Sequence, residues 1–371
     1  MQSLPSSMRA VVLVGHGGPD MLRYREDWPR PEARAGEVLI QVQACGLNNT
    51  DINTRTGWYA RAIKTSTAES AEHGLEDAEA SGGSWGDRVQ QFPRIQGADV
   101  AGIIVAVGEG VERARIGERV MVDPWLLGRG EWMDAARSDY FGSECDGGFA
   151  DFTTVRAENA IAVDSLLSAA ELATFPCAYT TAENLISRTG LRPGETVVVA
   201  GASGGVGTAA LQLCRLRGAR VIAIAAASKA RALLSLGAHA VVDRATANLE
   251  GAIRAAAGGA VDVALDVVGG TTFMHLIYAL RQGGRYSASG AISGPMAQFD
   301  LRQMIYKDLQ LTGATIVPPG TMQRIVRLIE QRALQPVLAQ TFPLRKLAAA
   351  QEVFMAKKHV GNIVVTMEKA D

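Results

Sequence analysis

The chain has 371 residues, more than one hydrophobic core usually supports, so two domains are expected. Its composition, 47% hydrophobic and 20% charged, is that of an ordinary globular protein and excludes a disordered, collagen-like or coiled-coil chain. The 37 basic residues nearly balance the 38 acidic ones, so no overall field would attract nucleic acid or an anionic membrane. No stretch approaches the roughly 18 apolar residues of a membrane span.

The four cysteines, Cys45, Cys145, Cys177 and Cys214, are widely scattered and do not form the dense pattern of a disulfide framework. The apolar run at 10–14 is too short for a secretory signal. We therefore expect a cytoplasmic protein in a reducing compartment, with a small-molecule partner and neither nucleic acid nor membrane as a ligand.

The first part of the chain carries short apolar runs separated by glycine, at 10–14, 38–42, 100–107, 119–122 and 149–155. Period-two alternation appears at 37–43, and several short strands at such spacing predict an all-β partial barrel. Residues 65–87 are rich in Ser, Thr, Ala, Glu and Gly and lack helical or strand periodicity over most of their length. They are predicted to be a mobile surface insertion.

The pattern changes after about residue 166, where strands alternate with helices. Strands are predicted at 196–200, 220–225, 240–243, 261–268, 284–288 and 309–315, and helices at 205–217 and 229–236. This alternation predicts a parallel sheet with crossover helices. The expected division is a β-rich domain at 1–165 with an insertion near 60–91, a parallel-sheet domain at 166–316, and a C-terminal segment, 317–371, that returns to the first domain.

A glycine turn between a buried strand and a helix is the strongest motif. Gly204 and Gly207 match the second and third glycines of Gly-x-Gly-x-x-Gly, and Ala202 replaces the first. Such a turn lets backbone N–H groups and the positive end of a helix approach a pyrophosphate. We predict that a dinucleotide contacts Ala202, Ser203, Gly204, Gly205, Val206 and Gly207.

The residues after the second strand of this unit bear on the choice of cofactor. An NAD site places Asp or Glu there, but residues 224–231 contain no carboxylate. Ser228, Lys229 and Arg231 can instead donate hydrogen bonds to a 2′-phosphate, although Lys229 and Arg231 could also be a solvated helix face. We therefore expect NADP(H) rather than NAD(H).

Together with that turn, the motifs at 8–12, 46–51, 97–102, 147–151 and 180–182 give the chain a family resemblance. It resembles the medium-chain dehydrogenase/reductase superfamily, and within it the zinc-free quinone oxidoreductase and enoyl reductase branch. The resemblance covers nearly the whole chain. It implies an α/β fold with a GroES-like β-rich partial barrel and a Rossmann domain containing a doubly wound parallel sheet, with the cofactor between them.

The resemblance also bears on metal binding. Zinc alcohol dehydrogenases of the superfamily hold their catalytic metal at positions matching Asn48, the stretch 97–99 and Cys177. Only Cys177 is a strong ligand, whereas a catalytic zinc needs about three. We expect no metal site and expect Cys177 to be a buried structural thiol.

Without a metal, hydrogen-bond donors must stabilise charge on the acceptor, which suffices for a conjugated carbonyl or quinone. The register of quinone reductases is matched by Asn48, Asp51, Arg55, Gly57 and Tyr59. Tyr59 is the predicted catalytic hydroxyl, or else a packed loop aromatic. Asn48 is predicted to bind the acceptor or the nicotinamide ribose, or else to cap a turn. Asp51 is expected to orient Arg55 or the loop.

Family analogy places further residues around the cofactor: Thr181, Val268, Gly269, Gly290, Ala291 and Asn362. Many relatives have lysine where this chain has Asn362, which removes one cation. The segment 125–144, with Trp125, Trp132, Tyr140 and Phe141, could line a site or a dimer contact. Relatives often pair through the Rossmann sheet edge, so a homodimer is expected, with a tetramer also possible.

Three functions follow from these patterns. The first is an NADPH-dependent reductase that passes hydride to a quinone, an enone or another activated double bond or carbonyl. The second is an NADPH-binding sensor or interaction protein with little catalysis. The third is a carbonyl reductase similar to alcohol dehydrogenases.

Overall fold

The computed structural model describes residues 4–74, 89–127 and 138–367. Its β-strands are β1 (Ser7–Leu13), β2 (Leu22–Pro29), β3 (Glu37–Gly46), β4 (Arg94–Ile95), β5 (Asp99–Val107), β6 (Arg119–Val122), β7 (Trp125–Leu126), β8 (Asp139–Tyr140), β9 (Phe152–Arg156), β10 (Ala160–Ala162), β11 (Thr196–Val199), β12 (Arg220–Ala225), β13 (Ala240–Asp243), β14 (Val261–Asp266), β15 (Leu280–Ala288), β16 (Gln310–Gly313), β17 (Leu338–Pro343) and β18 (Asn362–Thr366). Its α-helices are α1 (Asn49–Thr56), α2 (Thr67–Ser70), α3 (Ala169–Leu172), α4 (Pro176–Thr189), α5 (Gly205–Leu216), α6 (Ala230–Ser235), α7 (Leu249–Ala257), α8 (Thr272–Ala279), α9 (Leu301–Tyr306), α10 (Thr321–Glu330) and α11 (Leu347–Met355).

The GroES-like part is organised around β3, whose alternation was visible in the sequence. This strand pairs antiparallel with β5, β9 and β18 in a seven-stranded sheet, while β1 joins β2 and β4 in a smaller one. Ile40, Val42 and Ala44 of β3 are buried, and Gln41 and Gln43 between them are exposed. Period-two burial of this kind places one face of the strand in the core.

The second unit is a six-stranded, fully parallel sheet in the order β13-β12-β11-β14-β15-β16. Neighbouring residues of β12 enter different cores: Val221 packs with Leu211 of α5, whereas Ile222 packs with Ile253 of α7 and Leu276 of α8. Helices therefore cover both faces, which makes this a doubly wound Rossmann sheet and confirms the predicted α/β class. Strand order reverses between β11 and β14, where ligands of such sheets bind.

The C-terminal segment contacts both units. β18 pairs with β3 and with β17, so it extends the sheet of the first unit. Just before β18, the backbone N–H of Gly361 donates to the carbonyl oxygen of Ser203 in the glycine turn, at 2.9 Å. This hydrogen bond holds the loop 357–361 against the glycine turn.

The predicted insertion contains one regular element. Residues 67–70 form the four-residue helix α2, in a segment that lacks periodicity over most of its length. The helix begins with a capping box in which Ser66 and Glu69 bond each other's backbone N–H groups, a local signal that outweighs the missing periodicity. The rest of the insertion, 75–88, and Trp132 lie outside the described residues.

Candidate dinucleotide cleft and acceptor pocket

The glycine turn joins β11 to α5, with Gly204 capping the helix and Gly201 in the left-handed region at φ +67°. A Cβ atom on Gly207 would lie 2.3 Å from the carbonyl oxygen of Gly201. A Cβ atom on Gly205 would lie 2.3 Å from Oδ1 of Asn362. At residue 207 the clash would be with backbone, so glycine there permits the helix to start close to the strand; at residue 205 a Cβ atom would displace the Asn362 side chain.

A cleft of about 260 Å³ opens over this turn. Its walls come from the turn itself, the carboxyl ends of β12 and β14, and the C-terminal loop. Four basic residues lie along it: Lys229, Arg244, Lys357 and His359. Among the residues that the structure describes, no carboxylate pairs with any of the four.

Lys229 holds the C-terminal loop against the turn. Its Nζ donates to Ser203 Oγ at 3.1 Å and to the backbone oxygens of Lys357 and His359 at 2.8 and 2.7 Å. A lysine ammonium has three donors, so all three are used by neutral oxygens. Burial, and then the nearby Arg244, lower the pKa of Lys229. Lys229 therefore brings positive charge to the cleft but no open donor.

The other residues expected at a 2′-phosphate are placed differently. Ser228 and Arg231 are exposed and do not line the cleft. Arg244, which the sequence analysis missed, does line it: its backbone N–H bonds the carbonyl oxygen of Ala225, the last residue of β12, at 2.9 Å. The signal was available, since a residue just after one parallel strand lies beside the end of the next.

Two further basic side chains come from the C-terminal loop. The amine of Lys357 donates to Asn49 Oδ1 at 2.9 Å and lies 3.7 Å from the ring centre of Phe354. Burial and the charge of Lys229 lower the pKa of Lys357 to about 7. Burial, with Lys357 and Lys229, lowers the pKa of His359 to about 4.

Two buried nitrogens near the cleft have no hydrogen-bond partner, Nδ1 of His359 and Nδ2 of Asn362. Unpaired buried polar atoms and unbalanced positive charge both cost free energy unless a ligand compensates them. Backbone N–H groups at the start of α5 add to this field. The cleft thus fits an anionic ligand.

An acceptor pocket of about 470 Å³ adjoins the cleft. The two share Asn49, Gly205, Val206, Val267, Ile292 and Phe354. Aromatic rings form much of the pocket wall, as two edge-to-face pairs: Trp58 with Tyr59, whose ring centres are 5.8 Å apart, and Trp125 with Tyr140, at 5.0 Å. Tyr59, the predicted catalytic hydroxyl, therefore lines the same pocket as Trp125 and Tyr140, which fits the first of the two roles expected for the segment 125–144, lining a site.

Two buried carboxylates lie beneath this pocket. Asp99 accepts from Asn48 Nδ2 at 2.9 Å and from the backbone N–H of Cys177 at 2.7 Å. Asp51 accepts from the backbone N–H of Asn48 at 2.7 Å. Burial raises the pKa of each aspartate to about 7 and raises the pKa of the Cys177 thiol well above its usual range. Cys177 is half-buried and lines the pocket, and its structural role stays a prediction.

This set of groups does not fit a catalytic zinc. The amide of Asn48 is bonded to Asp99, Ala98 offers no ligand atom, and Cys177 is the one thiol that lines the pocket. In residues 4–74, 89–127 and 138–367, no three His, Cys, Asp or Glu side chains are grouped so that they could hold a metal ion.

Arg55 does not pair with Asp51; of the two roles expected for Asp51, orienting Arg55 or orienting the loop, its bond from the Asn48 backbone N–H fits the second. The guanidinium of Arg55 is fully buried and donates to Gln351 Oε1 and to the backbone oxygens of Gly17 and Ala71, at 2.7 to 2.9 Å. These bonds tie the N-terminal loop, the start of the insertion and α11 together. Arg55 therefore supports the pocket from behind.

The remaining predicted residues fall into three groups. Asn48, Thr181, Gly290, Ala291 and Asn362 line the acceptor pocket, and Val268 lines the cleft. Ala202 is fully buried beneath the turn. The backbone N–H of Gly269 donates to Asp266, and neither Ala202 nor Gly269 lines either space.

Comparison with known proteins agrees with this architecture. Residues 34–165 match the alcohol dehydrogenase GroES-like domain, and residues 205–331 match the zinc-binding dehydrogenase family. A mouse (Mus musculus) synaptic vesicle membrane protein VAT-1 homolog is 28% identical, over 96% of this chain and 83% of its own. A rat (Rattus norvegicus) quinone oxidoreductase is 28% identical over 93% of each chain. In the described part of this chain, no helix is long and apolar enough to cross a membrane.

Solved structures show the same fold. A putative alcohol dehydrogenase from Sinorhizobium meliloti 1021 is 45% identical over 99% of both chains, with a TM-score of 0.91. An NAD-dependent alcohol dehydrogenase is 30% identical, covering 97% of this chain and all of its own, with a TM-score of 0.85. A 2-octenoyl-CoA carboxylase reductase in complex with NADP and 2-octenoyl-CoA is 25% identical, covering 99% and 90%, with a TM-score of 0.83. The chain is therefore an oxidoreductase of the medium-chain dehydrogenase/reductase superfamily.

Proposed function

We propose that this protein is an NADPH-dependent reductase that passes hydride to a small conjugated acceptor, a quinone, an enone or a related activated double bond, without a metal. The observation that carries the proposal is the pair of adjoining spaces: a cleft with four basic side chains and no paired carboxylate, next to an aromatic pocket. A dinucleotide spanning both would place its phosphates in the first and its nicotinamide in the second.

The choice of NADPH rests on Arg244. The carboxyl end of β12 has no acid to bond a ribose 2′-hydroxyl or to repel a 2′-phosphate. Arg244 lies beside that end, is exposed, and has no ion-pair partner among the described residues, so its guanidinium can bind a phosphate through two parallel hydrogen bonds. Lys229 adds charge from behind. The NADP complex of the 2-octenoyl-CoA carboxylase reductase supports this choice, and the NAD-dependent alcohol dehydrogenase is the contrary case.

The acceptor pocket favours a flat, conjugated substrate. Its aromatic walls can stack on such a molecule, and Tyr59 and Thr181 offer hydroxyl groups at the lining. When bound, reduced nicotinamide supplies the hydride; the chain's residues orient the acceptor, exclude water and stabilise the charge that develops on its oxygen. Delocalisation over a conjugated system lets hydrogen bonds do this without a Lewis acid.

The decisive experiment is a turnover assay with NADPH and with NADH against quinones, 2-enals, enoyl thioesters and saturated ketones. We expect at least one conjugated acceptor to oxidise NADPH, at a rate unchanged by a zinc chelator. Turnover of saturated ketones alone, lost on chelation, would instead indicate a zinc carbonyl reductase. Tight NADPH binding without turnover of any acceptor would indicate a sensor.

We also propose that two copies pair along β16. This strand and β13 are the two outer strands of the six-stranded sheet that the structure describes, and an exposed edge can pair with another strand. Large exposed apolar side chains gather near β16 in sequence: Met296, Leu301, Ile305, Tyr306 and Leu311. Light scattering should give a dimer for the native chain and a monomer for Leu311→Lys; a native monomer contradicts this pairing.

The four cysteines are free thiols in the structure, which supports a reducing compartment. We propose a cytoplasmic location on that basis. Fractionation of cells that express the full chain tests it, and recovery with membranes would contradict it.

A further inference from the structure

The side-chain amine of Lys357 has no anionic group beside it, among the described residues, that would balance its positive charge. It projects from the loop after α11 and lines the cleft beside the glycine turn. Its hydrogen-bond acceptor is the neutral amide oxygen of Asn49, and its other close neighbour is the ring of Phe354. Neither cancels a positive charge, although the ring attracts it weakly.

Among the described residues, the other titratable side chains that line the cleft around Lys357 are all basic. Lys229 approaches from the loop after β12, Arg244 lies at the end of β13, and His359 follows in the same loop. No described carboxylate pairs with the Lys357 amine. Because like charges repel and half-buried cations lose hydration, the free protein disfavours the charged form of this amine.

Position along the cleft indicates which phosphate Lys357 would meet. Its partner Asn49 lines both the cleft and the acceptor pocket, so the amine lies near their junction. Arg244 instead lies by the end of β12, where a Rossmann fold places the adenosine ribose. Between them, the start of α5 offers the N–H groups that hold a pyrophosphate.

We propose that Lys357 is the positive group facing the pyrophosphate of the bound dinucleotide, and that its amine takes up a proton from solvent when that anion binds. This inference rests on the dinucleotide binding proposed above. No residue of the glycine turn carries a charge, so Lys357 supplies at this point what the turn lacks. The binding reaction balances as protein plus dinucleotide plus a solvent proton giving the protonated complex.

The linkage has a definite sign. The pKa of Lys357 is about 7 in the free protein, and a nearby dianion returns it toward its ordinary value of 10.5. Above pH 7 the free amine is mostly neutral, so binding must first protonate it. Affinity should therefore be highest below pH 7 and fall by up to about tenfold per pH unit as pH rises toward 9.

The test uses ADP-ribose, which carries the pyrophosphate but neither the nicotinamide nor a 2′-phosphate that would titrate near pH 6. Titration calorimetry of the full chain at pH 8, in buffers of different ionisation enthalpy, counts the protons taken up. The native protein should take up about one. The exposed neighbour Lys358, changed to methionine, is the matched control and should behave like the native chain.

Two variants distinguish the effect of a positive charge at residue 357 from the effect of proton uptake by its side chain. Lys357→Met should bind about tenfold more weakly at pH 7 and take up no proton. Lys357→Arg should keep the affinity, take up no proton and lose the pH dependence, because arginine stays charged. Methionine and arginine are both unbranched at Cβ, as lysine is. Either substitution should therefore have about the same conformational cost at residue 357, whose backbone is left-handed with φ +52°.

Three results would overturn the inference. Native binding of ADP-ribose without proton uptake contradicts it, as does unchanged affinity in Lys357→Met. In both cases NADPH binding survives, and so does the proposed function. If the native chain binds neither ADP-ribose nor NADPH, the proposed function and this inference fail together.

Discussion

The two spaces of the site treat buried charge in opposite ways. The dinucleotide cleft collects Lys229, Arg244, Lys357 and His359 with no paired acid, whereas the acceptor pocket lies above Asp51 and Asp99 with no paired base. Uncompensated charge is costly in both places. The acids can remove their charge by taking up protons, since burial raises each pKa to about 7. Lys357 and His359 can likewise lose their charge, since burial lowers their pKa values to about 7 and about 4, whereas Arg244 is a permanent cation that solvent reaches; an anionic ligand would balance the charge of all three.

The largest expected effect breaks the cleft itself. In Gly207→Ala, the new Cβ would lie within 2.6 Å of backbone atoms of Gly201 and Ala202, so the helix could not start where it does. NADPH affinity should fall more than about a hundredfold, because the N–H groups that hold the pyrophosphate are displaced. Calorimetry measures it. Gly313→Ala, where a Cβ meets nothing within 4 Å, is the control, and retained affinity in Gly207→Ala would refute this account of the turn.

The next effect concerns the pocket and not the cleft. Tyr59→Phe removes a hydroxyl from the pocket lining while keeping the ring. If that hydroxyl stabilises the developing charge, kcat should fall about 10- to 100-fold with the best conjugated acceptor, and KM for NADPH should stay unchanged. Steady-state kinetics with the exposed Tyr306→Phe as control decides it. An unaltered kcat would reduce Tyr59 to a packed aromatic and direct attention to Tyr140.

A smaller effect distinguishes Arg244, which lines the cleft, from Arg231, which the sequence suggested as a phosphate ligand. Arg244→Ala should raise KM for NADPH about tenfold while leaving KM for NADH unchanged, because only NADPH carries the 2′-phosphate. Arg231→Ala should change neither value, since Arg231 is exposed and lies outside the cleft lining. If only Arg231→Ala raised KM for NADPH, Arg231 would be the phosphate ligand that the sequence suggested, and the assignment of that role to Arg244 would be rejected.

The last effect concerns folding stability, not binding or catalysis, and tests the acids under the pocket. The pKa of Asp51 rises on folding from about 3.8 to about 7, so its protonation stabilises the folded state at low pH, and this is lost as pH rises from 4 to 7. The Asp51→Asn variant has no titrating carboxyl at residue 51, so it does not lose stability through this residue as pH rises. The stability of the variant relative to the native chain should increase by about 1 kcal/mol per pH unit from pH 5 to 7 and stay level above. Urea unfolding across that range measures it, and a flat difference would contradict the raised pKa.

Local chemistry explains what could be read from the sequence. Three patterns depend only on consecutive residues: the alternation in β3, the succession of strands and helices after residue 166, and the glycines at 204–207. They predicted the β-rich unit, the parallel-sheet unit and the turn between β11 and α5. Capping also acts locally, yet the box formed by Ser66 and Glu69 was overlooked because the surrounding composition suggested a loop.

The sequence by itself determined the architecture and the family, because periodicity, turn glycines and short motifs depend on neighbours along the chain. Only the tertiary structure decided which charges meet. Arg244 reaches the cleft because parallel strands end at the same sheet edge, and Lys357 because the C-terminal segment returns past the turn. Asn362, which lines the acceptor pocket, had suggested the loss of a cation, but Lys357, five residues earlier, brings one into the adjoining cleft. Charge balance in a cleft depends on distance in space, which sequence spacing does not encode.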